Sequence, residues 1–240
     1  MTNADADSRR AAARPVTSRR GRDHRLLVAL AGYVTAIVAS ALAGGLAATA
    51  AGTSDSIAVL LVGQVAFWSV LAATVLVADG ARVGADALAV RFRWPDLPVG
   101  ALAGIATQLV LVPAIYLPFR GMLDEDDLAA PARDLLDRVD GAALVVMAVS
   151  VIVVAPLVEE LFFRGLLLDA MRRRWNTAAA VVGSSVVFGA THFQPLQFPA
   201  LTLAGAVFAV AAVRTGRLGA AVAVHAGFNA TTFVALVLLA

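Results

Sequence analysis

The sequence predicts an all-α, polytopic transmembrane bundle of about seven spans with a cytoplasmic N-terminus. Three observations carry this. The 240 residues are 60% hydrophobic and 15% charged, with a mean hydropathy of +0.82, whereas a soluble domain carries about a quarter charged residues. The apolar residues are gathered into runs of about 20, enough for a helix rising about 1.5 Å per residue to cross a hydrocarbon core about 30 Å thick. The arginines, finally, fall on one side of those runs.

Residues 1–25 are polar and hold Arg9, Arg10, Arg14, Arg19, Arg20, Arg22 and Arg25; they read as a disordered cytoplasmic tail. The apolar run Leu26 to Ala51 is too long for a signal-peptide core and reads as an uncleaved signal anchor. Its length also argues against a twin-arginine signal at Arg19 and Arg20. Further spans are expected at 57–78, 98–119, 142–163, 177–193, 197–213 and 218–239. Residues 26–141 therefore form an N-terminal membrane part. It includes an amphipathic cytoplasmic segment at 80–97, with Trp94 at the headgroup level, and an acidic outer loop at about 120–141. Residues 142–240 form a four-span core. Its 193–213 stretch is short for a loop plus a full span, which predicts a shortened or tilted helix at span five or six.

The positive-inside rule tests the count. With the N-terminus inside, the cytoplasmic segments hold the seven tail arginines together with Arg82, Arg91, Arg93, Arg164, Arg172, Arg173, Arg174, Arg214 and Arg217, which is 16 of the 19 basic residues. The outer loops hold Arg120, Arg133 and Arg138, among acidic residues such as Asp124, Glu125, Asp126 and Asp127. One flipped span destroys this asymmetry.

Other classes are excluded by what the sequence lacks. With no cysteine, disulfides and thiolate metal sites do not arise. No internal repeat, nucleotide loop or GxGxxG arrangement is present, and no nucleic-acid partner is expected. Every basic residue is Arg in an Ala-rich chain, the mark of a GC-rich, bacterial-looking genome rather than of a mechanism. Gly44 and Gly45 permit close helix contact, but no feature specifies an oligomeric state.

Ionisable residues within spans are costly and point to function. Here they are Glu159, Glu160, Arg164, His192 and His225. The motif EELFFR places Glu160 and Arg164 four apart, where they pair on one helix face, and leaves Glu159 about 100° around the helix. FGATH places Phe188 and His192 on one face, and HAGFN does the same for His225 and Asn229. The midpoint of Glu159 and His192 falls at the polar turn MRRRWN, so an antiparallel hairpin about that turn puts both at one depth. His225 lies nine residues past Gly216, about 13 Å of helical rise. One carboxylate, two imidazoles and an amide thus converge inside the membrane. The same donors suit a divalent metal such as zinc, with Glu159, His192 and His225 as ligands.

The three elements EExxxR, FxxxH and HxxxN, in this order on successive helices, resemble the CPBP family of intramembrane endopeptidases, relatives of the type II CAAX prenyl endopeptidase. The resemblance covers about residues 142–240. It implies peptide-bond hydrolysis by a glutamate-activated water with no cofactor. Glu159 is then the general base, His192 holds and polarises the water, and His225 and Asn229 stabilise the oxyanion. Glu160 and Arg164 are then supports. The substrate class it implies is a membrane-associated peptide or protein terminus, acted on by a multi-pass protein of the cell membrane.

Plainer readings stand beside this one. Glu160 and Arg164 also read as an ion pair fixing helix register, and the histidines and Asn229 as interhelical hydrogen-bond partners. Phe162, Phe163 and Phe188 read as packing or lipid-facing, Asp169 and Arg172 to Arg174 as a solvated turn, and Thr191 as satisfying its own backbone. At the level of function the rivals are a non-catalytic scaffold or bacteriocin-immunity protein that binds a peptide, and a proton-coupled transporter. A transporter predicts related halves, which the sequence lacks.

Overall fold

A computed structural model describes residues 19–54, 56–79, 91–122 and 125–239. Among them the chain is helical, with no strand. We number the helices α1 (Arg19–Ala51), α2 (Ile57–Asp79), α3 (Asp96–Phe119), α4 (Glu125–Leu136), α5 (Gly141–Arg172), α6 (Thr177–Ala190), α7 (Phe198–Thr215) and α8 (Leu218–Leu239). Six of these are long and apolar enough to cross a membrane, and α6, with 14 residues, is shorter. At about 1.5 Å per residue it extends about 21 Å, less than the hydrocarbon core. The expected seven spans are thus six long helices and one short one, and the shortening falls on span five.

Several boundaries move. The helix of the first span begins at Arg19 rather than Leu26; residues 1–18 of the expected tail lie outside the described residues. So do residues 80–90 of the amphipathic segment, whose Trp94 is exposed. The acidic outer loop contains a helix of its own, α4. The largest change is in α5, expected to end near residue 163 and found to run to Arg172. The reason is that Arg164, counted above among cytoplasmic charges, is buried with its charge matched inside the bundle. A paired charge does not end a span, and the helix continues through LLLDAM to the arginine turn.

Helix α5 is the centre of the bundle, touching α1, α2, α6, α7 and α8. It is not uniformly α-helical. A π-helical stretch at Ser150–Val154 stops two residues before Pro156, and one in α3 at Thr107–Leu111 stops two residues before Pro113. Proline has no N–H to donate and crowds the carbonyl of the preceding turn; widening that turn accommodates both defects. A third π stretch, Leu161–Leu168, carries Arg164.

A close helix crossing joins α3 to α8. A Cβ on Gly104 would lie 2.2 Å from the Val224 carbonyl oxygen, one on Gly100 2.5 Å from Ala223 Cβ, and one on Gly227 2.6 Å from the Ala101 carbonyl oxygen. Gly100 and Gly104 thus face Ala223 and Gly227 in small-residue register, letting the backbones meet as membrane helices do when lipid supplies no hydrophobic drive. The sequence reading named Gly44 and Gly45 instead. Gly44 does approach Gly63, at 3.9 Å, but Gly45 has nothing within 4 Å. At one end of the crossing, Asp96 accepts from Arg217 Nε at 2.9 Å and again from its Nη2, and from the Arg93 amide. This clamp ties the start of α3 to the α7–α8 turn and so fixes the entry of α8.

Candidate active site

Glu160 is fully buried on α5. Its Oε1 accepts from Arg164 Nη1 at 2.8 Å, the i,i+4 pair expected from the motif, and from His225 Nδ1 of α8 at 2.9 Å. Arg164 also donates through Nη2 to the Gly205 carbonyl of α7 at 2.9 Å. Its guanidinium lies over the Phe188, Phe208 and Phe163 rings at 4.6, 5.3 and 5.8 Å. Three aromatic faces and two oxygens compensate the removal of this cation from water. Gly205 permits the approach, since a Cβ there would be 3.0 Å from the Phe188 ring.

Glu159 stands in a different environment. Its side chain is 15% exposed, against none for Glu160, and its Oε2 lies 3.9 Å from His225 Nε2, beyond hydrogen-bonding range. A carboxylate oxygen only accepts, so His225 Nδ1 carries the hydrogen given to Glu160, and Nε2 is the atom turned towards Glu159. The imidazole is held flat on Phe208 (centroids 4.4 Å apart, planes at 19°) and meets the edge of Phe188 at 5.7 Å.

His192 lies two residues past the end of α6. Its Nδ1 is 2.7 Å from the Phe188 carbonyl oxygen; a carbonyl has no hydrogen, so Nδ1 donates and Nε2 keeps its lone pair. Thr191 Oγ1 donates to the same carbonyl, as its plainer reading expected. Both side chains take the acceptor that the His192 amide would use in a continuing helix; that amide bonds Gly189 instead, α6 ends at Ala190, and Phe193 takes a positive φ of 54°. Phe163 of α5 and Phe188 of α6 touch edge to face at 5.1 Å, and Glu159 and His192 each lie four residues farther from the turn in sequence. Phe188 stands between the imidazoles, 4.8 Å from His192 and 5.7 Å from His225.

Asn229, one turn beyond His225, donates through Nδ2 to the Val151 carbonyl at 2.8 Å, inside the first π stretch of α5. Its interhelical role is therefore real, and the second Nδ2 hydrogen is left for other use. Phe162 and Phe163 are buried packing residues. Asp169 is partly exposed and pairs with Arg173 at 2.9 Å and with Arg25 at 3.7 Å, so the turn it belongs to also fastens α1. Among the described residues no group of three or more His, Asp or Glu side chains is placed to hold a metal ion.

Sequence reasoning missed Gly205, Phe208 and Val151. Each lies in an unbroken apolar run and contributes a backbone oxygen or a ring face, which leaves no signature in residue type.

Arg164 of α5 and His225 of α8 are thus organised around one buried carboxylate, Glu160. Residues 141–231 match the type II CAAX prenyl endopeptidase Rce1-like family. The Rce1-like region begins with α5, ends within α8, and contains Glu159, Glu160, Arg164, His192, His225 and Asn229. At the level of the family it supports a CAAX-protease-like intramembrane endopeptidase, and with the apolar helices it makes this an integral membrane protein. Helices α1 to α4 lie outside it. Comparison with curated proteins and with solved structures returned no match.

Proposed function

We propose that the protein is a multi-pass endopeptidase of the cell membrane that hydrolyses a peptide bond with a water activated by Glu159, without a cofactor. The observation that carries this is the division between neighbouring carboxylates. Glu160 is buried and bound by Arg164 and His225, whereas Glu159 keeps access and lies outside hydrogen-bonding range of its nearest imidazole nitrogen. A committed carboxylate orients; an uncommitted one takes a proton.

The roles follow. The Glu159 carboxylate and His192 Nε2 are both acceptors, so one water donates a hydrogen to each and turns its lone pair outward. Glu159 removes one proton as the oxygen attacks the peptide carbonyl carbon. The C–N bond breaks, and the proton passes to the leaving nitrogen. The free Asn229 hydrogen is the donor left to meet the carbonyl oxygen as it gains charge; with Nδ1 given to Glu160, His225 joins it through Nε2 only as an imidazolium, which donates at both nitrogens. Glu160 and Arg164 position His225. The substrate class is a membrane-associated peptide or protein terminus. A prenylated CAAX-type terminus is one member of that class, and bacteriocin precursors are another.

The test is a peptide-library screen with purified protein in nanodiscs, wild type beside Glu159→Gln, with and without a strong chelator. The expected result is wild-type cleavage that survives the chelator and falls by about 10²–10⁴-fold in the variant. Cleavage lost to the chelator and restored by a divalent ion would move the site to metal-assisted hydrolysis. Equal cleavage by variant and wild type would remove Glu159 from the chemistry.

A further inference from the structure

The chain has two tyrosines, and both hydroxyls are spent on one short turn. Tyr33 of α1 donates to the Thr191 carbonyl at 3.0 Å, and Tyr116 of α3 donates to the Leu196 carbonyl at 2.6 Å. Gln197 Nε2 adds a third tie, to the Leu128 carbonyl of α4 at 2.8 Å. The turn between α6 and α7 is thus held at both ends by elements outside the Rce1-like region. It carries His192, and at Phe193 it takes a left-handed conformation that a non-glycine residue adopts at a cost. A strained turn persists where its surroundings over-determine it.

Tyr33 has the more direct connection. The carbonyl it binds belongs to the peptide unit joining Thr191 to His192, so moving that oxygen rotates the His192 backbone. Its ring packs against Phe67, Phe162 and Phe163 with centroids 5.6 to 6.2 Å apart, which fixes where the hydroxyl points. One side chain of the first span is therefore tied to the backbone that carries His192, a group proposed to hold the water.

We propose that Tyr33 is a positioning residue for His192, acting through the Thr191 carbonyl, with Tyr116 anchoring the far end of the same turn. This rests on the proteolytic reading for its effect on rate, but not for its effect on the turn. It assigns α1 and α3 a part in the site.

The experiment compares wild type, Tyr33→Phe and Tyr116→Phe in nanodiscs, with Thr35→Val as the control; the Thr35 hydroxyl bonds only to its own helix, at the Ala31 carbonyl. Each tyrosine variant keeps its ring and loses one hydroxyl, so the packing that folds the bundle is retained. Amide exchange over residues 191–197 is followed by mass spectrometry, and kcat, KM and Tm are measured on the same samples. Expected for Tyr33→Phe is exchange in the turn faster by about two- to tenfold. Alongside it kcat falls at least about tenfold, with KM within about twofold and Tm at the control value. Tyr116→Phe is expected to raise exchange at the far end of the turn with a smaller loss of kcat. Wild-type exchange and kcat in Tyr33→Phe would overturn the proposal, as would a loss of kcat that merely follows a fall in Tm. The exchange arm needs no substrate. Faster exchange in Tyr33→Phe, with cleavage that proves independent of Glu159, therefore upholds the tyrosine's hold on the turn and counts against the proteolytic reading alone.

Discussion

His225 Nδ1 sits 2.9 Å from Glu160 Oε1, the same oxygen that receives Arg164 Nη1 at 2.8 Å. One carboxylate oxygen thus ties two turns of α5 to α8, and through Arg164 to the Gly205 carbonyl of α7. The buried charge pair does more than fix the register of one helix. It decides which nitrogen of His225 is free to act.

That network makes Arg164 and Glu160 unequal targets. Arg164→Met leaves the Glu160 carboxylate buried without its cation and the Gly205 oxygen without its donor. Removing one partner of a buried pair costs about 3–5 kcal/mol, so thermal unfolding in detergent should show a large drop in Tm, with cleavage lost. Glu160→Gln keeps the shape and one acceptor oxygen for both donors, and should destabilise less. A Glu160→Gln protein less stable than Arg164→Met would show that the charge, not the hydrogen-bond geometry, holds the three helices together.

Asn229 should show a mixed phenotype because its amide has two hydrogens and one is already given to Val151. Asn229→Ala is expected to lose about 1 kcal/mol of stability with that bond. It should also lose about 10²–10³ in kcat with the oxyanion donor, at nearly unchanged KM. Steady-state kinetics beside thermal unfolding separates the two. A stability loss with wild-type kcat would reduce Asn229 to a helix tie.

The α3–α8 crossing gives a test that never touches the chemistry. In Gly104→Ala the new methyl meets the Val224 backbone oxygen, adjacent to His225. Overpacking of this kind costs about 1–3 kcal/mol, and because α8 must shift, Tm and cleavage should fall together. Gly45→Ala meets nothing within 4 Å and should be neutral or stabilise α1 by up to about 1 kcal/mol. Parallel Tm measurements check both, and equal effects would show that α8 is not seated by this contact.

Much of the candidate site was legible because membrane burial makes polar residues conspicuous. Glu159, Glu160, Arg164, His192, His225 and Asn229 stand out from runs of Ala, Val and Leu, and helical spacing alone pairs Glu160 with Arg164. The polar turn midway between Glu159 and His192 predicts a hairpin, and α5 and α6 do pack, with Phe163 on Phe188. Not legible was that Arg164 is interior to a helix running to Arg172, since a sequence shows a charge but not its partners.

By itself, the sequence determined the fold class, the approximate positions of the spans and the inventory of ionisable groups within them. Those depend on apolar run length, arginine placement and residue type, all of which are local. Only the tertiary structure decided that His225 binds Glu160 rather than Glu159, that Asn229 reaches Val151, and that Tyr33 and Tyr116 hold the His192 turn. These contacts join residues 65 to 158 positions apart. They end mostly on backbone oxygens, which every residue carries alike, so no residue type announces them until the helices pack.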